Sequence, residues 1–204
     1  MSEAPPRAEL AGLAIADGPA LWSALGFTVR DGTTVIGGIE VTLGGTGRGI
    51  TGWTLRHVPD GVQLDGLATE VTVAAPPPAP APVHPNGAIA IDQVVIATPG
   101  FDRTAAALDT ANMPLRRVRD AGGSRQGFRR LGPAILELME AREGPPGPAR
   151  FWGLVVIVPD LAWLRDDLSP LVGEIRDAVQ PGRHIAALSR DAGLSVRVAF
   201  MDPE

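Results

Sequence analysis

The 204-residue chain contains no cysteine. That excludes a disulfide framework, thiolate catalysis and a cysteine-ligated metal centre. No apolar run approaches the roughly 20 residues needed for a membrane-spanning helix, so no membrane partner is expected. The opening MSEAPPRAEL has neither the basic nor the apolar segment of a secretion signal. A cytoplasmic location is the expectation. Positive charge is in deficit, with 18 basic against 23 acidic residues and a net charge of −5. A nucleic-acid binder needs a basic surface for phosphates, so none is expected as a partner. No nucleophile–base–acid motif is visible. The glycine-rich run Gly44–Gly49 lies between strands rather than opening a helix, so it reads as a hairpin loop and not a phosphate cradle.

What is present is a core. Hydrophobic residues make up 45% of the chain, enough for a globular protein. Glu9 to Ala16 reads as a short buried strand. Asp17-Gly18-Pro19 is a turn, with Asp17 placed to cap a helix over Ala20–Leu25 and Gly26 to end it. Strands are predicted at Phe27–Val29, at Thr34–Leu43 with a break near Gly37-Gly38, and at Ile50–Val58. A weaker strand is predicted near Ala68–Val73. Residues 75–87 form a proline-rich linker of polyproline II character, which would leave His84 in solvent.

Beyond the linker the pattern sharpens. A strand over Ile89–Ala97 meets a turn at Thr98-Pro99-Gly100, and a helix follows over about Arg103–Ala111. Strands are predicted at Leu115–Arg119, Gln126–Leu131 and Ala134–Glu140. After a Pro/Gly loop the order recurs: a strand at Phe151–Val158, a helix at Leu161–Leu168, then strands near Glu174–Val179, His184–Leu188 and Leu194–Met201. A shift of 60 residues lays Val95 on Val155, Pro99 on Pro159 and Leu108 on Leu168. A shift of 141 lays Gly12, Leu13 and Trp22 on Gly153, Leu154 and Trp163. Such self-similarity marks a repeated β-α-β-β-β unit of the α+β class, whose curved sheet needs a partner for its second face.

The repeat, its IDQVVIATPGFDRTAAAL opening and its AILELME closing strand resemble the vicinal oxygen chelate superfamily. That group includes glyoxalase I, bleomycin-resistance proteins and extradiol dioxygenases. The FWGL and RDAVQPGR segments are similar to actinobacterial glyoxalase-like proteins. The resemblance implies a glyoxalase-like domain over 88–204, built of paired units 88–141 and 150–202, with a degenerate unit over 8–74. It also implies that two units face each other around a cup. Metal-dependent members place a histidine or glutamine on the first strand and a glutamate on the last strand of each unit.

In the second unit those positions carry Gln93 and Glu137. Period-two alternation puts Ile91, Gln93 and Val95 on one face, and Ile135, Glu137 and Met139 on another. Glu137, among apolar neighbours, should have a raised pKa and is the candidate general base. In the third unit the first-strand position is Gly153, and Ser195–Met201 carries no glutamate. Two ligands fall short of the three expected at a catalytic zinc. No cofactor is therefore expected, with a divalent metal on Gln93 and Glu137 as the alternative. Further ligand-binding candidates are Gln126, Arg129, Arg183 and His184. Arg183 is suited to a carboxylate or phosphate. The arginines at 116, 117, 119, 125, 129 and 130 are either an anion site or a solvated sheet edge.

Two functions follow as expectations. One is a protein whose cup holds a small organic, possibly anionic, molecule without metal. The other is a divalent-metal-dependent lyase, isomerase or dioxygenase of the glyoxalase type. Because three units cannot pair within one chain, the first is expected to cover its apolar face with a second copy, as a homodimer.

Overall fold

A computed structural model describes residues 6–74, 82–141 and 146–204. Its elements run β1 (Glu9–Ile15), α1 (Pro19–Ala24), β2 (Thr33–Ile36), β3 (Ile39–Leu43), β4 (Ile50–Arg56) and β5 (Thr69–Val71). They continue with β6 (Ala90–Thr98), α2 (Phe101–Thr110), β7 (Arg117–Asp120), β8 (Arg125–Leu131) and β9 (Ala134–Glu140). The last part holds β10 (Arg150–Ile157), α3 (Leu161–Asp167), β11 (Arg176–Asp177), β12 (His184–Ala187), a 3₁₀ turn at Arg190–Ala192 and β13 (Arg197–Met201).

The strands form an eight-stranded sheet, β11-β12-β13-β10-β6-β9-β8-β7, and a five-stranded sheet, β2-β3-β1-β4-β5. In the larger sheet each repeat closes on itself by a parallel pair, β6 with β9 and β10 with β13. The two repeats do not face one another across a gap, as the resemblance implied. They join edge to edge through an antiparallel β6–β10 pair. Val94 lies opposite Leu154, and Gln93–Val155 and Val95–Gly153 flank that pair. Residues 60 apart in sequence therefore exchange places about a local twofold through Val94 and Leu154. The cup is one curved sheet made of two halves.

Residues 6–74 follow the same plan in reduced form. β1 is parallel to β3, β4 is parallel to β5, and β1 and β4 are antiparallel at the junction. In place of one degenerate β-α-β-β-β unit over 8–74, β3 closes a first unit and β4 opens a second, rudimentary one. Residues 27–29 form no strand. Phe27 is buried instead, with its ring 4.8 Å from Trp22 of α1 and 6.4 Å from Phe200 of β13.

That stacking shows where the small sheet sits. Its apolar face (Leu13, Ile15, Val41 and Trp53) joins Val94, Ile96, Leu138, Val156 and Phe200 of the large sheet in one core. Trp53 meets Phe151 edge-on at 5.4 Å. The apolar surface that was expected to recruit a second chain is thus covered by the chain's own larger sheet. The reason for expecting a dimer disappears with it.

Two local expectations are also corrected. Asp17 does not cap α1, whose N-cap is Gly18 and whose first turn carries Pro19. Its carboxylate instead accepts hydrogen bonds from the backbone N–H groups of Ser195 and Val196, at 2.6 and 3.0 Å. The polyproline II reading of 75–81 lies outside the described residues, but the end of the linker is packed. His84 is buried. Its Nδ1 accepts from the Thr28 N–H at 3.1 Å and its Nε2 meets the Val35 carbonyl at 3.0 Å. Gly26 follows α1 at φ +79°, where a side chain would be strained and would also strike Asn86.

Candidate functional site

The concave face of the eight-stranded sheet encloses a cavity of about 1230 Å³. Alternation selects its lining. On β9, Leu136 and Leu138 turn into the core, which leaves Ile135, Glu137 and Met139 for the cup. On β6, Val94 and Ile96 go to the core, and Gln93 and Val95 to the cup. In the parallel β6–β9 pair Gln93 lies beside Ile135 and Val95 beside Glu137. Gln93 and Glu137 are therefore diagonal neighbours on the cup face, and the expectation from sequence parity holds for both.

Glu137 has Phe128 of β8 as its other neighbour. Burial pushes its pKa above the ordinary carboxylate value, and the positive charge of Arg119 offsets part of that rise. Arg119 is itself held in place. Its Nε and Nη2 donate to Gln126 Oε1 at 2.9 and 2.6 Å, and its guanidinium lies 5.1 Å from the Phe128 ring centroid. On the other half Arg197 stands 4.8 Å over the Trp152 ring. Arg48, Arg117 and Arg190 complete a basic rim. Among the described residues, ion pairs engage Arg56, Arg103, Arg125, Arg165, Arg176 and Arg183. None of the five rim arginines is paired among those residues, although Glu137, Asp177 and Glu204 also line the cavity.

Not every candidate reaches this cup. Gln126 lines it. Arg183 stands at its edge but is committed elsewhere, donating from Nε and Nη2 to the Asp202 carbonyl at 2.9 and 2.7 Å. A longer contact, 3.4 Å, joins its Nη1 to Asp92. Arg129 shares a face with Leu136, its partner on β9, and is buried on the core side. Its Nε has no hydrogen-bond partner among the described residues. Burial and the nearby Arg116 and Arg7 charges lower its pKa. His184 is exposed outside the cup, with its Nδ1 and backbone N each 2.7 Å from the Asp202 carboxylate. His57, near the end of the strand predicted over Ile50–Val58, lies beyond β4 and is exposed at φ +59°. Of the arginine cluster at 116–130, Arg117 and Arg119 line the cup; sequence reasoning missed Arg190, Arg197 and Trp152, and it missed Arg48 because that residue arrives from the five-stranded module.

The local twofold gives a direct test of a metal set. Gln93 maps to Gly153, and the Val95–Glu137 pair maps to Val155–Ala199. Ala199 offers no donor. A side chain at Gly153 would place its Cβ only 2.5 Å from the Arg197 carbonyl oxygen, so no ligand fits there without moving β13. Among the described residues no group of three His, Asp or Glu side chains is arranged to hold an ion. The residues present do not fit the four-ligand site of the metal-dependent relatives.

No family model and no curated protein matches the sequence. Solved structures do. A xylose isomerase-like TIM barrel/4-hydroxyphenylpyruvate dioxygenase fusion protein superposes with a TM-score of 0.62 at 11% identity, covering 98% of this chain and 50% of that one. The chain thus spans half the length of that fusion. Methylmalonyl-CoA epimerase from Mycobacterium tuberculosis gives a TM-score of 0.47 at 19% identity over 58% of this chain and 90% of its own. A variant of the Streptomyces coelicolor epimerase in complex with 2-nitronate-propionyl-CoA gives 0.46 at 16% over 56% and 94%. No helix among the described residues is long and apolar enough to cross a membrane. With its two β-α-β-β-β repeats joined through their first strands, and a likeness that runs the length of the chain, the protein has the fold of the vicinal oxygen chelate superfamily.

Proposed function

We propose that the cup binds a small organic anion without a metal ion. The observation that carries this reading is the pairing of an incomplete donor set with a surplus of unpaired arginine. Gly153 and Ala199 stand where a metal would need two further ligands, while five arginines without ion-pair partners among the described residues surround an apolar floor. An apolar body packs on Val95, Met139 and Val155. An acidic group meets guanidinium at the rim, where planar forks suit carboxylate, sulfonate or phosphate oxygens. Gln93 offers amide hydrogen bonds at the floor.

Glu137 is the residue for chemistry, if the bound molecule is turned over. A buried carboxylate with a raised pKa is a competent general base for a proton next to a carbonyl. A protein that only sequesters its ligand uses the same group as a hydrogen-bond partner. The second reading, a divalent-metal-dependent lyase, isomerase or dioxygenase, gives Gln93 and Glu137 the ion and needs donors from elsewhere.

The test is a fluorescence titration with 8-anilinonaphthalene-1-sulfonate, an aromatic sulfonate, on protein dialysed against a chelator. The expected result is saturable one-to-one binding, unchanged by added divalent metal and weakened in Ala199→Phe, which puts a ring on the cup floor. No saturable binding, or binding only when metal is restored, overturns the proposal. Metal bound stoichiometrically in wild type and lost in Glu137→Ala favours the second reading.

A further inference from the structure

We infer that the five-stranded module of residues 6–74 completes the cup, with Arg48 joining Arg190 and Arg197 as the group that holds the ligand's acidic end. The inference rests on the reading of the cup as a site for an organic anion, and it gives the small five-stranded module a function. That module forms no cup of its own among the described residues. The outward face of its sheet carries exposed Glu40 and Thr42, with Gly12 closely covered by the Glu40 carbonyl and Thr54. Its contribution to a binding site is the loop 44–49, which is not the hairpin expected from sequence but a crossover from β3 to β4 past β1; it reaches the larger sheet and places Arg48 in the cup lining.

The loop is fixed at both ends. The Gly44 N–H donates to the Asp17 carbonyl and the Ala16 N–H to the Gly49 carbonyl, each at 2.9 Å. Gly49, at φ +66°, donates its own N–H to Ser195 Oγ at 2.7 Å. The buried Asp17 carboxylate takes the N–H groups of Ser195 and Val196. Residues 195 and 196 lead straight into β13, whose first residue is Arg197. Arg48 is thus one residue from an anchored point, and Arg197 is one residue from the other side of the same anchor.

Charge argues in the same direction. Asp17, the acid of this knot, accepts from the backbone N–H groups of Ser195 and Val196 and forms no ion pair with Arg48, Arg190 or Arg197 among the described residues. Asp177 and Glu204 face the cavity, but neither lies within 4.0 Å of Arg48, Arg190 or Arg197 among the described pairs. Three arginines in the lining of one cup, two of them on segments tied through a backbone clamp, suit a single acidic head group. The body of the ligand then lies toward Glu137 and Gln93. The class of ligand is an amphiphilic organic anion with one carboxylate, sulfonate or phosphate group.

The test compares two probes of one shape. 8-Anilinonaphthalene-1-sulfonate is anionic, and N-phenyl-1-naphthylamine is its neutral counterpart. Each is titrated into wild type, Arg48→Ala, Arg48→Glu and Arg30→Ala, the last an exposed arginine of the same module away from the cup. Loss of one charge-assisted contact predicts about tenfold weaker sulfonate binding in Arg48→Ala, and weaker still in Arg48→Glu. The neutral probe and Arg30→Ala should be unchanged, with melting curves unmoved. If Arg48→Ala binds both probes as wild type does, or loses both equally, the inference fails and the cup reading stands. If wild type binds neither probe, the cup reading fails with it.

Discussion

Replacing Asp17 with alanine should loosen the two modules from one another. The carboxylate is buried and accepts two backbone N–H bonds, from Ser195 at 2.6 Å and Val196 at 3.0 Å. Hydrogen bonds to a charged group contribute about 1.5–3 kcal/mol each, and a buried donor left unpaired costs a further share of its desolvation. Val196 is buried, so its N–H has no ready access to water, whereas Ser195 is half-buried and can recover a water partner. Weighing the two, the loss should be about 3–4 kcal/mol. For a urea slope of about 2–3 kcal/mol/M, that lowers the midpoint by about 1–2 M. Urea unfolding followed by circular dichroism measures it directly. Asp17→Asn keeps one acceptor oxygen and should fall between wild type and alanine. A loss below about 0.5 kcal/mol, the range of an ordinary surface substitution, would refute the clamp and the anchoring of Arg48 built on it.

Three further outcomes follow from the same geometry. Glu137 has a folded-state pKa raised by burial, so its ionised form opposes folding and the penalty fades as pH falls through that pKa. Glu137→Gln should therefore be more stable than wild type near pH 7, with the gap closing toward the ordinary glutamate range, and sulfonate affinity in wild type should strengthen over the same fall in pH. A gap that does not change with pH contradicts this. Arg129→Met should stabilise the protein by about 1–2 kcal/mol in urea unfolding, because a buried guanidinium without a carboxylate partner among the described residues is exchanged for an apolar chain of similar length; a loss of that size would show that the charge is compensated. Gly153→Ala should cost about 1–3 kcal/mol as β10 and β13 are pushed apart, and a neutral result on thermal unfolding would contradict the close approach.

The sequence carried the repeats and the cup floor because both depend on short-range periodicity. Alternation along β6 and β9 was enough to send Gln93 and Glu137 to one face. The same rule separates Gln126 from Arg129, which are an odd number of residues apart, and puts Arg129 with the buried Leu131 on the core face. His184 is one step out of phase with Ile185 and Ala187, which do line the cup. What periodicity cannot carry is long-range pairing. Nothing local marks Asp17 as the acceptor for residues almost a whole chain away, and its position before Gly18-Pro19 suits a helix cap equally well. His84 sits in a proline-rich stretch, and its burial comes from Thr28 and Val35, far back in the chain. The joining of the two repeats through β6 and β10, and the covering of the small sheet by the large one, are likewise set by packing between segments that look ordinary one at a time.

The central claim is that an organic anion, and no metal ion, occupies the hollow over Gln93 and Glu137. A crystal structure of the protein grown with 8-anilinonaphthalene-1-sulfonate tests it most directly. The account predicts the ring system against Val95, Met139 and Val155, with the sulfonate among Arg48, Arg190 and Arg197. Probe bound only on the outer surface, or an anomalous metal peak between Gln93 and Glu137, would contradict it.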